Sequence, residues 1–207
     1  MAGLATFTMV RKEQDTMSIK LSLREKSGFT LVEILLVAVL IAITASISFS
    51  FMKPWLALYR LKIAVRQVAA DMQLARLRAV STNDKYQVVF DVNNNQYDLK
   101  KCVTDDCDTA NDTVEKDNQE LPKVIVFGYK SGAQGPPGGP TGAITDSVTF
   151  SNDRASFSPK GTAGQGTVYI KNENDDTVAV TVAETSTGLI RLYHLKPGTT
   201  NDWEQIS

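Results

Sequence analysis

The sequence has few of the side chains that catalyse reactions or bind metal ions. Its 207 residues include one histidine, His194, and two cysteines, Cys102 and Cys107. These are fewer than the four ligands of a structural zinc site. The chain also has no serine or cysteine nucleophile motif and no Gly-Lys-Ser/Thr phosphate loop. These absences argue against an enzyme, and we expect neither a cofactor nor a metal ion.

Excess positive charge is missing as well. The formal net charge is −1, from 22 basic and 23 acidic residues. Residues 1–28 contain five of the basic and three of the acidic residues, which leaves 17 basic and 20 acidic residues in the remainder. Nucleic-acid binders usually present a basic face. The acidic remainder therefore argues against a general nucleic-acid binder and leaves room only for a local basic patch.

One segment is rich in carboxylates and raises the question of calcium. It lacks the ordered alternation and the glycine of an EF-hand loop, so we interpret it as a solvated acidic loop and leave calcium binding open. Its carboxylates are Asp105, Asp106, Asp108, Asp112, Glu115 and Asp117.

The sequence does contain one long apolar run, from Phe29 to Met52. About 20 helical residues cross the roughly 30 Å of hydrocarbon in a bilayer, so the run is long enough to span a membrane. Its only formal charge is Glu33. A carboxylate there costs on the order of a few kcal/mol, which predicts that Glu33 has a partner outside the isolated helix.

A helical pattern resumes after Pro54, because a proline kinks a helix without necessarily ending it. Apolar residues then recur at alternating steps of three and four, which predicts an amphipathic helix over residues 53–83 that ends near 81–84. This stripe comprises Leu58, Leu61, Val65, Val68, Met72, Ala75 and Ala79. It has two interpretations: it packs on the domain's own sheet, or its first half, near Leu58 and Leu61, also packs between subunits. Charged residues, Asp71 among them, are expected off the stripe.

Beyond Lys85 the pattern favours strands. The sequence predicts a hairpin of strands 86–90 and 96–102 around a turn at Asn93–Asn95. Further strands are expected at 121–129, 147–150, 167–171, 177–182 and 188–195, and residues 131–142 are expected to form a flexible loop. The sequence therefore predicts an α+β fold, in which a long N-terminal transmembrane and amphipathic helix precedes an antiparallel β-sheet domain at 84–195. A tail at 196–207 follows.

The run Gly28-Phe29-Thr30-Leu31-Val32-Glu33 resembles the class III signal of type IV pilins and type II secretion pseudopilins. This resemblance implies that residues 1–28 are a cytoplasmic leader. A prepilin peptidase would cut between Gly28 and Phe29 and methylate the new amino group of Phe29. The α-amine of Phe29 in one subunit could then neutralise the Glu33 carboxylate of its neighbour and set the axial register of a filament.

The resemblance also implies a location and partners. Lys and Arg in the leader favour a cytoplasmic N-terminus, with one pass through the bacterial inner membrane and a periplasmic domain. Translation from Met17 would give a shorter leader, and the sequence leaves that open. The implied partners are other pilins or pseudopilins, the prepilin peptidase, the inner-membrane assembly platform and secreted cargo. In the periplasm disulfides persist, so we expect a Cys102–Cys107 bridge, with two free thiols as the alternative.

The C-terminal half resembles the GspH/FimT domain of minor pseudopilins and minor pilins. The resemblance lies in the segments Phe157–Gly161, Gly166–Ile170, Val178–Val182 and Thr187–Arg191. It implies a minor subunit in type II secretion or a type IV pilus, although a major pilin is also compatible with the sequence. FimT-type pilins that take up DNA are thought to use a closing Gly-Arg-x-Arg, but here Leu189 replaces the first Arg and only Arg191 remains. DNA uptake through Arg191 is thus the weaker alternative.

Overall fold

One long helix opens the structure. The computed structural model describes residues 28–103, 107 and 112–206, with the backbone alone at residues 49–51, 53 and 54. Helix α1 extends from Leu31 to Thr82 and continues through Pro54. Asn83 follows it with a left-handed φ of 58°, a conformation that asparagine adopts more readily than most residues and that commonly ends helices. The helix therefore ends where the sequence predicts.

The chain divides into two units, one up to Ala45 and one from Ser46 onward. The described part of the first unit contains the start of α1. In the second unit, the rest of α1 packs against two antiparallel β-sheets. The α+β class and the antiparallel pairing expected from the sequence are confirmed.

The sheets contain nine β-strands within the described residues. The first sheet has the strand order β3-β2-β1-β5, and the second has the order β4-β6-β7-β8-β9. The strands are β1 Tyr86–Asp91, β2 Gln96–Lys101, β3 Thr113–Glu120, β4 Ile125–Phe127, β5 Arg154–Phe157, β6 Thr167–Asn172, β7 Thr177–Glu184, β8 Leu189–Leu195 and β9 Trp203–Ile206. Strands β1 and β2 form the predicted hairpin, whose turn is held by a 3.0 Å hydrogen bond from the Asn94 N–H to Asp91 Oδ1.

The predicted apolar stripe is the face of α1 that this unit buries. Six of its seven side chains are fully buried, namely Leu61, Val65, Val68, Met72, Ala75 and Ala79. Leu58 is partly buried against the same core, which also takes in apolar side chains of both sheets. Leu61, for which the sequence also allows packing between subunits, is enclosed within its own domain. The stripe therefore holds the helix to the sheets of its own chain.

The sequence pattern did not predict strands β3, β5 and β9. Strand β3 is an edge strand that exposes most of its side chains, so it lacks the alternation of apolar and polar residues that marks a half-buried strand. The prediction of a solvated loop is wrong for Glu115 and Asp117, which lie in β3. Strands β5 and β9 have only four residues each, too few for a period to show.

Two predicted strands are also shorter than expected. Of residues 121–129, only Ile125–Phe127 form a strand. Residues 147–150 make a single bridge, between Val148 and Val168. Some backbone groups of these segments pair outside a regular ladder, as in the 2.8 Å bond from the Tyr169 N–H to the Ser147 carbonyl.

The loop at residues 131–142 is packed and hydrogen-bonded, contrary to the expectation of a flexible segment. The Gln134 N–H donates to the Thr200 carbonyl at 2.7 Å, and the Trp203 indole N–H donates to the Gln134 carbonyl at 2.8 Å. Ala133 is fully buried. The loop adjoins a small second core on the outer face of the second sheet, formed by Tyr129, Ile144, Tyr169, Ala179, Tyr193 and Trp203.

Candidate functional site

The start of α1 brings together the residues that the sequence assigns to processing and assembly. Phe29 is exposed, and Thr30 caps the helix: its hydroxyl oxygen accepts a 3.2 Å hydrogen bond from the Glu33 N–H. A threonine followed three residues later by a glutamate is the pattern of a capping box. Glu33 therefore lies in the first turn, where the helix dipole favours a carboxylate. Within residues 28–103, 107 and 112–206, the Glu33 carboxylate has no hydrogen-bond or ion-pair partner.

The helix beyond Glu33 is uncovered. Residues Leu31–Ser48 have a mean hydropathy of 2.5, and none of them is buried. By length and composition this is the one helix in the described part of the chain that could cross a membrane. A fully exposed apolar helix is unfavourable in water, so this segment requires an apolar environment of lipid or of other helices.

In the second unit, the segments that carry the family resemblance form turns and the strands that follow them. Phe157 ends β5, and residues 158–161 make a tight turn after it, closed by a 2.9 Å bond from the Gly161 N–H to the Ser158 carbonyl. Gly166 precedes β6, and a Cβ there would lie 2.3 Å from the Phe150 ring. A side chain at this position would displace a buried aromatic ring, so the glycine allows the core to close.

Gly188 lies just before strand β8 and contacts the helix. Its φ is +61°, and a Cβ would lie 2.8 Å from the Gly161 carbonyl oxygen and 3.0 Å from Arg76 Cδ. Few residues other than glycine adopt this conformation without strain. The two glycine turns therefore meet beside α1.

Arg191, the residue considered for DNA contact, is exposed on β8 opposite Thr181. Leu189, two residues earlier, is also exposed. The surface that an Arg-x-Arg pair would make basic thus presents one leucine and one arginine, and a DNA contact at Arg191 stays a prediction.

Cys102 and Cys107 form a disulfide bond, with both cysteines buried. Cys107 packs against the first sheet, since its carbonyl accepts hydrogen bonds from Gln87 Nε2 at 3.0 Å and from an Arg154 guanidinium nitrogen at 3.1 Å. Asp112 Oδ1 accepts from the Val103 N–H at 3.0 Å. Of the acidic segment, Asp105, Asp106 and Asp108 lie outside the described residues. Elsewhere in the described chain no three His, Cys, Asp or Glu side chains are grouped as metal ligands.

The sequence pattern misjudges one carboxylate, Asp71. Although it lies off the apolar stripe, it is only 2% exposed. Its carboxylate accepts a 2.7 Å hydrogen bond from the Tyr97 hydroxyl and a 3.1 Å bond from Gln67 Nε2, and it forms an ion pair with Lys116. Burial and the neighbouring carboxylate raise the pKa of Tyr97. This network links α1 to strands β2 and β3. Its members are far apart along the chain, so no sequence spacing could have predicted their contact.

His194 is buried on β8, and burial, reinforced by the positive charge of Lys62, lowers its pKa. The carboxylates of Asp176 and Glu204 oppose this shift. Within the described residues the Nε2 atom of the ring has no hydrogen-bond partner. The imidazole is therefore a neutral, buried side chain near neutral pH.

An exposed apolar helix with a capped, acidic first turn, continued into a β-rich domain, defines a pilin-like class of protein. Two family models match the chain: the prokaryotic N-terminal methylation motif at residues 23–49, and the type II transport protein GspH at residues 64–188. The second covers more than half of the chain. The chain belongs to the GspH family of type II transport proteins.

The chain is similar to two solved structures of the minor pseudopilin EpsH from the type II secretion system of Vibrio cholerae. One is 17% identical with a TM-score of 0.43, and the match covers 68% of this chain and 99% of that one. The other is 18% identical with a TM-score of 0.44, covering 68% of this chain and 96% of that one. No curated protein sequence matches the chain.

Proposed function

We propose that this chain is a minor pseudopilin that helps to assemble the filament of a type II secretion system. A prepilin peptidase would remove residues 1–28 and methylate Phe29, and the apolar helix would then hold the subunit in the bacterial inner membrane with its domain in the periplasm. The observation that carries the proposal is the single carboxylate, Glu33, in the first turn of an apolar segment, Leu31–Ser48, of which no residue is buried within the described chain. The match to the GspH family supports the same function.

The first turn of α1 suits a charge pair between subunits. Cleavage after Gly28 would place the α-amine of Phe29 four residues before Glu33, at the same end of the helix. Either charge is costly in lipid alone, whereas the amine of one subunit and the carboxylate of the next neutralise each other when the helices pack together. A slip in register would leave both charges unpaired.

The packing of the domain indicates that the apolar span is the main surface for contacts with other subunits. The stripe on α1 is already enclosed by the two sheets, and the disulfide and the Asp71 network fix further parts of the domain. The large apolar side chains of residues 31–48 remain exposed. We therefore place contacts with other pseudopilins on this segment, and contacts with the assembly platform or with secreted cargo on surfaces that the domain presents.

Processing is tested by expressing the chain with a prepilin peptidase and measuring the intact mass. We expect a product that begins at Phe29 and carries one added methyl group. Gly28→Val should block cleavage, because a bulky side chain replaces the hydrogen next to the scissile bond, whereas Gly3→Val in the same leader should be processed normally. A mature N-terminus elsewhere would refute the assigned site.

Assembly is tested with Glu33→Gln. Glutamine serves as well as glutamate in a capping box, so a purely local role would survive this change, whereas a charge pair with a neighbour would not. We expect recovery of the other pseudopilins in a pull-down to fall at least about tenfold, since losing one partner of a buried pair costs about 3–5 kcal/mol. The control is Glu184→Gln, an exposed glutamate at the end of β7. Wild-type recovery with Glu33→Gln would contradict the proposed pairing.

A further inference from the structure

A second apolar face runs along α1 within the second unit, on the side of the helix away from the buried stripe. Its side chains are exposed by 53% at Met52, 64% at Trp55, 51% at Tyr59 and 49% at Ile63. They recur at steps of three and four, so they share one side of the helix. Nothing in the described domain covers them.

The two aromatic residues of this face act as one unit. The rings of Trp55 and Tyr59 are stacked, with their centroids 5.5 Å apart and an angle of 10° between their planes. Each combines a broad apolar surface with a polar N–H or O–H group. Such side chains concentrate at the boundary between lipid and water, where one end is apolar and the other is wet.

Their position along the helix matches that boundary. The apolar run ends at Met52, and Trp55 and Tyr59 follow three and seven residues later, which is about 5 Å and about 10 Å at 1.5 Å per residue. The interfacial layer on each side of the hydrocarbon is roughly 5–8 Å thick. Helical side chains lean toward the N-terminus, so both rings reach back toward the span and into this layer.

The charges around the face fit an anionic surface. No acidic residue occurs between Glu33 and Asp71, whereas two basic residues, Lys53 and Arg60, lie within about 12 Å of Met52 along the helix. Basic residues near a bilayer attract anionic lipids, and long basic side chains can lie along apolar surface while keeping their charge in the headgroups.

We propose that the Trp55–Tyr59 pair, with Met52 on its membrane side, docks in the headgroup layer of an anionic bilayer. The Trp55–Tyr59 pair fixes the depth at which the helix leaves the membrane before the subunit enters a filament. This inference rests on the proposed membrane anchoring and adds to it the lipid surface as a partner of the second unit.

The test is the depth of Trp55 in the full chain reconstituted into vesicles of phosphatidylcholine and phosphatidylglycerol. Trp203→Phe leaves Trp55 as the only tryptophan, and Trp55→Phe leaves Trp203 as the control. Lipids brominated near the headgroup should quench Trp55 at least twofold more than lipids brominated near the chain ends, and should leave Trp203 unquenched. Tyr59→Ala should reduce this ratio for Trp55, whereas Leu77→Ala, another exposed apolar residue of α1, should not.

The possible results are distinct. Quenching of Trp55 by aqueous iodide but by neither brominated lipid would overturn the inference while leaving the anchor intact. A Trp55 emission shift that depends on protein concentration, without quenching by lipid, would also overturn it and would indicate contact with a second copy of the chain. Failure of the protein to sediment with the vesicles would refute the proposed membrane anchoring itself.

Discussion

The hydrogen bond from Tyr97 to Asp71 should contribute measurably to the stability of the domain. Tyr97→Phe removes the hydroxyl that donates to the buried carboxylate at 2.7 Å and changes nothing else in the side chain. A hydrogen bond to a charged group contributes about 1.5–3 kcal/mol. Asp71 is 2% exposed, so water cannot readily replace the lost donor. We expect the free energy of unfolding to fall by about 2 kcal/mol, roughly a 30-fold change in the unfolding equilibrium.

The chain offers a matched control in Tyr86. Its hydroxyl donates to Glu115 Oε1 at 2.8 Å, and Tyr86 is as deeply buried as Tyr97. Glu115, however, lies on the exposed edge strand β3 and forms an ion pair with Arg78 at 3.8 Å, so Arg78 and water can satisfy its carboxylate when the hydroxyl is removed. We expect Tyr86→Phe to cost at most about 1 kcal/mol.

Urea unfolding of the full chain in a non-ionic detergent, followed by circular dichroism, measures both variants. A double-mutant cycle with Asp71→Val isolates the pairwise contribution, because Tyr97→Phe should cost much less once the carboxylate is gone. The coupling energy should be about 1.5–3 kcal/mol. The reasoning fails if Tyr97→Phe costs no more than Tyr86→Phe, or if the Tyr97 and Asp71 changes are additive.

Three further predictions use the same unfolding assay. Gly188→Ala should cost about 1–3 kcal/mol more than Gly198→Ala, the usual cost of overpacking, because both glycines have positive φ but only at Gly188 would the new Cβ meet other atoms; equal costs would contradict this. Replacing Cys102 and Cys107 with serine should cost about 2 kcal/mol, from the chain entropy of so short a loop, and a reducing agent should then lower wild-type stability without affecting the variant. The pKa of His194 is lower in the folded protein than in the unfolded chain. As pH falls below about 6.5, His194 is therefore protonated in the unfolded chain first, and the folded protein loses stability until pH reaches the folded pKa. The free energy of unfolding of wild type should therefore fall relative to that of His194→Gln as pH is lowered from about 7.5 to about 5.5. A difference that stays constant with pH would refute this prediction.

Elements with a strong local period could be predicted from the sequence. The stripe from Leu58 to Ala79 specifies one buried face of α1, and the hairpin around Asn93–Asn95 combines alternating strands with asparagine-rich turn chemistry. Both depend on neighbours within a few residues along the chain. The edge strand β3 had no such signal, because a strand that buries almost nothing is specified by its hydrogen-bonding partner and not by its own side chains.

The same distinction applies to polar residues and to glycine. The sequence predicts Asp71 to be a surface residue of its helix. Only the approach of Tyr97 and Lys116 from the first sheet buries its carboxylate and gives it a hydrogen bond and an ion pair. The glycines and prolines of residues 131–142 predict a flexible loop, yet hydrogen bonds with Thr200 and Trp203 hold this loop in place. In both cases the partners are far away in sequence, so no local pattern could reveal them.

The sequence by itself determined the apolar span, the position of Glu33 within it and the family to which the chain belongs, because these are properties of consecutive residues. The tertiary structure decided which apolar faces of α1 are used internally and which remain exposed. It encloses the stripe between two sheets, and it leaves residues 31–48 and the Trp55–Tyr59 face uncovered. The physical reason is that periodicity shows that a face must be buried, whereas only the three-dimensional arrangement of the sheets determines what buries it.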